Sequence, residues 1–422
     1  MRGSFINAKK QRFLFLLLLL VSSPALLASS FSGVIVDEKS ALPIVGAKIS
    51  DAVRSVKSDA NGSFFLKSQE DFVHIKAYGY RPYKLLKDTN ATTIKLSPIN
   101  VKALYLTFWG ASNHSKTSKR ILKLIEKTEA NAIIVDVKNE YGSTSFYTGF
   151  EQANSYGAHE NRTNRNIQKF MQKMKERNIY TIARIVTFKD ELQAMNNPDY
   201  AIKRDDNGSI WRNHDKMAWV DPYDKRSHEY AIRVAEEAAK VGFDEINFDY
   251  IRFPAKDGLR YSKENTEANR TRAIEQFLES AQKRLQKYGV FISVDTYGNI
   301  CWSSDDNGIG QRVSSMAKHA DYLAPMLYPS GFSSGSFYFK YPAKHPYAVI
   351  YRSVKNIEDR VDLKRVRPWL QYFKDYTSAN VEYNRHEIQD QIRATRDAAT
   401  NGWMMWSPSS KYYYRDLKSS LK

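Results

Sequence analysis

The stretch Phe243-Asp-Glu-Ile-Asn-Phe-Asp249-Tyr-Ile-Arg252-Phe-Pro254 reads as a strand that ends in charge. Side chains alternate along a strand, so Glu245, Asn247 and Asp249 share one face, and Phe248, Tyr250 and Arg252 share the other. Seven more short apolar runs surround it: Val101–Trp109, Ala130–Lys138, Ile179–Phe188, Val290–Gly298, Asp321–Pro329, Val366–Phe373 and Gly402–Pro408. Amphipathic segments separate them, among them Lys116–Thr128, Asn166–Arg177, Ser227–Val241, Glu267–Tyr288 and Glu387–Thr400. In Ser227–Val241 the apolar residues Ala231, Val234 and Ala238 recur at helical spacing. Strands alternating with helices imply parallel βαβ units, and eight of them fit an α/β fold, the (β/α)8 TIM barrel. An open doubly wound sheet is the alternative. No glycine-rich phosphate loop follows the first run, and Trp109-Gly110 is not one.

A barrel makes the strand ends informative, because its active sites form at the C-terminal ends of the strands. The second run ends in Asp136, Lys138 and Glu140, with Asp136 and Lys138 on one face. The fifth ends in Asp295 and Tyr297, the sixth in Tyr328, the seventh in Gln371, and the eighth in Trp406. One acid from each of two adjacent strands, ringed by Tyr, Trp, Gln and Arg, is the layout of a carbohydrate hydrolase. One carboxyl group protonates the leaving oxygen, and the other attacks the anomeric carbon or activates water. Asp249 and Asp295 are the candidate catalytic pair. Asp136, Lys138, Arg252, Tyr328, Gln371, Trp406 and Trp219 are the candidate substrate ligands, with Lys138 also a candidate ion-pair partner. Arg252 could instead hold the Asp249 carboxylate. Glu245, several residues before the strand end, reads as buried structure.

The same motif resembles the signature of a family of glycoside-hydrolase TIM-barrel domains carried as a domain of unknown function. Arg184-Ile-Val-Thr-Phe-Lys-Asp190, Trp219-Val-Asp221-Pro-Tyr223, Val294-Asp295-Thr-Tyr-Gly298, Pro325-Met-Leu-Tyr-Pro329 and Trp403-Met-Met-Trp406 match its pattern. The resemblance implies glycosidase chemistry, with a fourth-strand and a fifth-strand acid at work. The chitinase pattern Asp-x-x-Asp-x-Asp-x-Glu is not met. Asp244, Asn247, Asp249 and Ile251 occupy its positions, so its terminal acid is missing. Asp249 is then the nucleophile or base and Asp295 the general acid, or the reverse.

Residues 31–99 have a different texture. Short strands are separated by turns at Pro43–Ala47 and at Ser58-Asp-Ala-Asn-Gly62, the pattern of a β-sandwich. Gly33, Asp37, Pro43, Gly46-Ala47, Asp59, Gly62 and Phe64 resemble the carboxypeptidase regulatory-like family, whose modules are mostly accessory. Residues 1–30 read as a secretory signal, with Lys9, Lys10 and Arg12 before the apolar run Phe13–Val21. The domain division is thus 1–30, 31–99 and 100–422, and the protein is expected in the periplasm or outside the cell.

The 422 residues carry a net charge of +18. Removing the leader takes away Arg2, Lys9, Lys10 and Arg12 and leaves +14. Export disfavours nucleic acid and leaves an anionic glycan as a partner; no membrane span is expected after cleavage. The single cysteine excludes an intramolecular disulfide, His214-Asp215 with Asp221 forms no recognised metal set, and no cofactor motif is present. A serine hydrolase is excluded by the lack of a Gly-x-Ser-x-Gly elbow. The long connection Lys189–Asp224, with Trp211 and Trp219, could wall a cleft. Two non-catalytic alternatives stand beside the hydrolase: a sugar-binding barrel, and an envelope scaffold whose β-module does the binding.

Overall fold

The computed structural model describes residues 29–418, except Asp88, Asn90, Ala91 and Asn113. The expected leader lies outside the described residues apart from Ser29 and Ser30, which begin a strand. Eight parallel strands close into a barrel. We number them β1 (Val101–Leu106), β2 (Ala132–Lys138), β3 (Tyr180–Val186), β4 (Glu245–Asp249), β5 (Phe291–Tyr297), β6 (Tyr322–Met326), β7 (Trp369–Gln371) and β8 (Gly402–Trp406). Each is the centre of one of the eight apolar runs. The runs are apolar because both strand faces are buried, one against the helices and one inside the barrel. Helices Lys116–Ile125, Ile167–Glu176, Lys225–Lys240, Glu267–Leu285, Pro346–Lys355 and Arg385–Asp397 are amphipathic and bury their apolar faces against the strands.

The barrel interior is packed, with Tyr180, Ile182, Phe291, Tyr322, Ala324, Trp369 and Met404 in one cluster. At its floor Arg367 donates to both carboxylate oxygens of Glu245, at 2.9 and 2.8 Å, and Tyr180 Oη donates to the same group at 2.9 Å. Glu245 is therefore buried structure, as its position in the strand suggests. Closure depends on Gly402, where β8 meets β1. Its φ is +82°, and a Cβ would lie 1.9 Å from the Val101 carbonyl oxygen. Gly402→Ala should cost about 1–3 kcal/mol, read as a lower denaturant midpoint; a native-like midpoint would contradict this role.

Residues before β1 form seven strands in two sheets. Ser29–Asp37 lies between Ser63–Ser68 and Thr93–Leu96; Lys48–Ser50 and Phe72–Lys76 lie at the centre of the other. Both sheets contribute to one core, including Phe31, Ile35, Phe64 and Ile94 from the first and Ile49, Val73 and Ile75 from the second. The expected turn at Ser58–Gly62 is present, and Asp59 Oδ1 accepts from the Asn61 and Ser63 amides. This module sits under the barrel floor. Lys76 Nζ reaches Asp321 at 2.8 Å and donates to Val290 O at 2.9 Å, and Arg81 donates to Asn178 O at 2.6 Å. Those partners precede β6, β5 and β3, so the opposite end of the barrel stays open.

Candidate active site

At the C-terminal ends of the strands a cavity of about 260 Å³ is lined by Arg184, Asp249, Tyr250, Arg252, Asp295, Tyr297, Met326, Tyr328, Trp369 and Trp406. Larger depressions lie elsewhere on the surface, but none of them contains two inward carboxylates from adjacent strands. Asp249 ends β4, and Asp295 stands near the end of β5, so both sequence-derived acids reach one space.

Their surroundings differ. Arg184, in the middle of β3, binds Asp249 through Nε at 3.0 Å and through Nη2, and it also pairs with Asp136 through Nη1. The backbone amide of Tyr250 donates to the other Asp249 oxygen at 2.6 Å. Burial works against the Arg184 charge, but the two carboxylates outweigh it and hold the guanidinium protonated. Asp249 therefore has a permanent cation and a backbone dipole on it. Asp295 has neither. Its Oδ1 accepts from Trp369 Nε1 at 2.6 Å and Asn247 Nδ2 at 2.8 Å, and Oδ2 has no hydrogen-bond partner among the described residues. Burial, followed by the nearby Asp249 charge, pushes its pKa well above the ordinary aspartate value. The two carboxyl groups in one cavity thus stand in different surroundings, one beside a guanidinium and one buried without a cation of its own.

Asp136 stands behind this pair. It accepts from Tyr105 Oη at 3.0 Å and binds Arg184, and burial is the main reason its pKa is raised. It supports Arg184 and does not line the cavity. Trp406 stacks on Tyr105 with ring centroids 4.1 Å apart and lies 5.3 Å from the Arg184 guanidinium. Tyr328 faces both acids, and burial, then Asp295 and Asp249, hold its phenol protonated. Trp406 and Tyr328 therefore both line the cavity beside the two acids.

Besides Asp136, three expected ligands are elsewhere. Lys138 does not face the cavity. Its ammonium is wholly buried, donating to Val186 O at 2.6 Å and pairing with Asp190 at 2.7 Å. Strand β2 shifts register at this point: Arg184 lies beside Asp136, but the next residue, Ile185, lies beside Lys138. The extra residue, Val137, turns Lys138 to the other face. Its ion-pair role holds and its substrate role does not. Gln371 is also buried, and its amide is committed to Ser330 and Phe373 O. Trp219 is 2% exposed and packs behind Arg252, 5.2 Å from its guanidinium, so it offers no open face to a sugar.

Arg252 does line the cavity, but it does not hold Asp249; Arg184 does. The alternation that separates Asp249 from Arg252 ends at Tyr250, whose φ of +49° turns the chain and brings Tyr250 and Arg252 to the cavity wall. Arg184, Trp369 and Asn247 were not among the sequence candidates. The signal for Arg184 is one charge in the middle of the apolar run Tyr180–Val186, a position that needs buried acids beside it. The long connection Lys189–Asp224 is a packed segment, with bridges Lys189–Trp219, Ala201–Val220 and Arg212–Ala218 and a helix, Glu191–Asn196, capped by Asp190.

The chain is similar to two solved structures and to one family of domains. A hypothetical protein from Ruminiclostridium thermocellum ATCC 27405 is 34% identical over 46% of this chain and 96% of its own, with a TM-score of 0.40. The glycoside hydrolase domain of PgaB (BpsB) from Bordetella bronchiseptica is 13% identical, covers 74% of this chain and 95% of its own, and has a TM-score of 0.55; at that identity it speaks for the fold alone. No curated protein sequence matches the chain. Residues 103–412, the whole barrel, match the family described as "Putative glycosyl hydrolase domain", and the chain belongs to that family of glycosyl hydrolase domains.

Proposed function

We propose that the protein is an exported glycosidase that cleaves an O-glycosidic bond of a poly- or oligosaccharide, with Asp295 as general acid and Asp249 as the partner carboxylate. The observation that carries this reading is that two carboxyl groups from adjacent strands share one cavity, Asp249 held by Arg184 and Asp295 buried with a raised pKa. Asp295, in its protonated form, gives its proton to the leaving glycosidic oxygen. Asp249, held in place by Arg184 and the Tyr250 amide, either attacks the anomeric carbon or orients the attacking water. Trp406 and Tyr328 supply faces for the sugar ring. The seven-stranded module, bound to the opposite end of the barrel, is an accessory unit on this reading.

The test is release of reducing ends from a panel of bacterial and algal polysaccharides, followed against pH. A general acid must be protonated, so kcat should fall as pH rises through the raised pKa of Asp295. That limb should lie well above the range of an ordinary aspartate. A protein that binds oligosaccharides but cleaves none of the panel would be a sugar-binding barrel instead. A rate that stays flat from acid to alkaline pH would remove Asp295 from the acid role.

A further inference from the structure

Three arginines lie in or at the mouth of the barrel, and two of them are neutralised. Arg367 has Glu245, and Arg184 has Asp136 and Asp249. Arg252 has no carboxylate partner among the described residues. Its one hydrogen bond runs from Nη1 to the Phe253 carbonyl at 3.1 Å. The guanidinium lies 5.2 Å from the centroids of both the Trp219 and Tyr250 rings, which meet each other edge-to-face, and it forms part of the wall of the cavity that contains Asp249 and Asp295. Burial pulls its pKa below the ordinary arginine value, and the Tyr250 phenol and the more distant Asp249 carboxylate offset this only in part.

An unpaired cation in such a place is costly unless something binds it. The two rings hold the guanidinium by cation–π contact, and its Nε and Nη2 donors have no hydrogen-bond partner among the described residues. A planar fork of N–H donors matches a carboxylate, which takes two parallel charge-assisted hydrogen bonds from it. The cavity is small, with room for about one sugar ring rather than a length of chain. The anion and the ring therefore belong to the same residue of the substrate.

We infer that Arg252 selects an acidic sugar, with the substrate's carboxylate on the Arg252 guanidinium and its anomeric carbon toward Asp249 and Asp295. This rests on the reading of the cavity as a sugar site. The alkaline limb and the acid–base pair are properties of Asp295 and Asp249; the charge preference is a property of Arg252, so the two readings fail separately.

The probes are D-glucuronate and D-galacturonate, each against its neutral counterpart, D-glucose or D-galactose, with acetate as the free anion. Binding to the full chain is followed by tryptophan fluorescence and by saturation-transfer NMR. One uronate should bind at least about tenfold more tightly than its neutral counterpart and than acetate. Arg252→Gln should remove that preference, bringing the ratio of uronate to neutral-sugar affinity to about 1. Arg252→Lys, which keeps the charge but not the fork, should keep part of it. Melting curves of both variants establish that they fold. Should Arg252→Gln fail to fold, the Arg252→Lys comparison decides. Equal binding of uronate and neutral sugar overturns the inference, as does no binding of either. A preference that survives Arg252→Gln, or acetate binding as tightly as the uronate, also overturns it. If the uronate preference holds and no polymer is cleaved, the acidic-sugar site stands and the hydrolase reading falls.

Discussion

Asp295→Asn should lose activity by about 10²–10⁴-fold and yet melt at a higher temperature than the native protein at neutral pH. Both effects come from the same carboxyl group. An asparagine keeps the acceptor oxygen that Trp369 Nε1 and Asn247 Nδ2 use, and it places its amide where Oδ2 now has no partner. What it removes is a titrating group whose ionised form is penalised by burial and by Asp249. The sign follows from linkage. The folded-state pKa is raised, so this group's contribution is fully favourable below the unfolded value of about 3.9 and is lost as pH rises through the folded value. The variant has no such loss. Its advantage in melting temperature should therefore be absent near pH 3.5, grow as pH rises, and level off above the folded pKa of Asp295. A variant that is less stable at neutral pH, or whose advantage does not depend on pH, would show that Asp295 is not held against its own charge.

The activity half separates the two acids. A substrate with an activated aryl leaving group does not need a proton on its departing oxygen. Asp295→Asn should recover much of its rate on such a glycoside, whereas Asp249→Asn, lacking the attacking or water-orienting carboxylate, should stay inactive on both. If neither variant distinguishes the two substrates, the division of roles is wrong. An Asp249→Asn protein with native activity would take Asp249 out of the mechanism.

The same contrast marks how far the sequence could be read. Asp249 and Asp295 were legible as neighbours because period-2 alternation holds to the strand ends, whereas Asp136, read as a substrate ligand, is taken up by Arg184 and Tyr105 outside the cavity. Tyr328 and Trp406 followed from the same rule. Lys138 did not, because one extra residue in β2 reverses the faces, and nothing in Val135-Asp-Val-Lys138 announces it. Arg252 reached the cavity by a route that alternation denies, through the left-handed backbone of Tyr250, which is not a glycine. Gln371 and Trp219 have suitable chemistry but are consumed by neighbours, and which neighbours they meet is fixed only by packing. Arg184 is the instructive omission. Its charge was visible in β3, but its role depends on lying between β2 and β4, beside Asp136 on one side and Asn247 on the other. Strand order and register are tertiary quantities, so the cation and its two acids could be seen singly but not as a cluster.

That cluster gives the second large effect. Arg184→Met should destabilise the protein by about 3–5 kcal/mol at pH 7, read from denaturant unfolding. The methionine fits much of the arginine's stem, so lost packing is the smaller part. The larger part is charge: one guanidinium serves two buried carboxylates, and removing it leaves both without a cation. Asp136 keeps only the Tyr105 hydroxyl and Asp249 only the Tyr250 amide as donors. Asp136 is already raised by burial in the presence of Arg184, and without it that burial is no longer offset. Carboxyl groups raised in the folded state favour the fold below the unfolded value of about 3.9 and weaken it as pH rises. The stability deficit of Arg184→Met should therefore be largest at neutral pH and shrink as pH falls toward 4. Adding Asp136→Asn to Arg184→Met should recover part of the deficit, because it removes one of the two stranded charges. A deficit that is the same at pH 4 and pH 7, and unmoved by Asp136→Asn, would mean that Arg184 acts through packing alone.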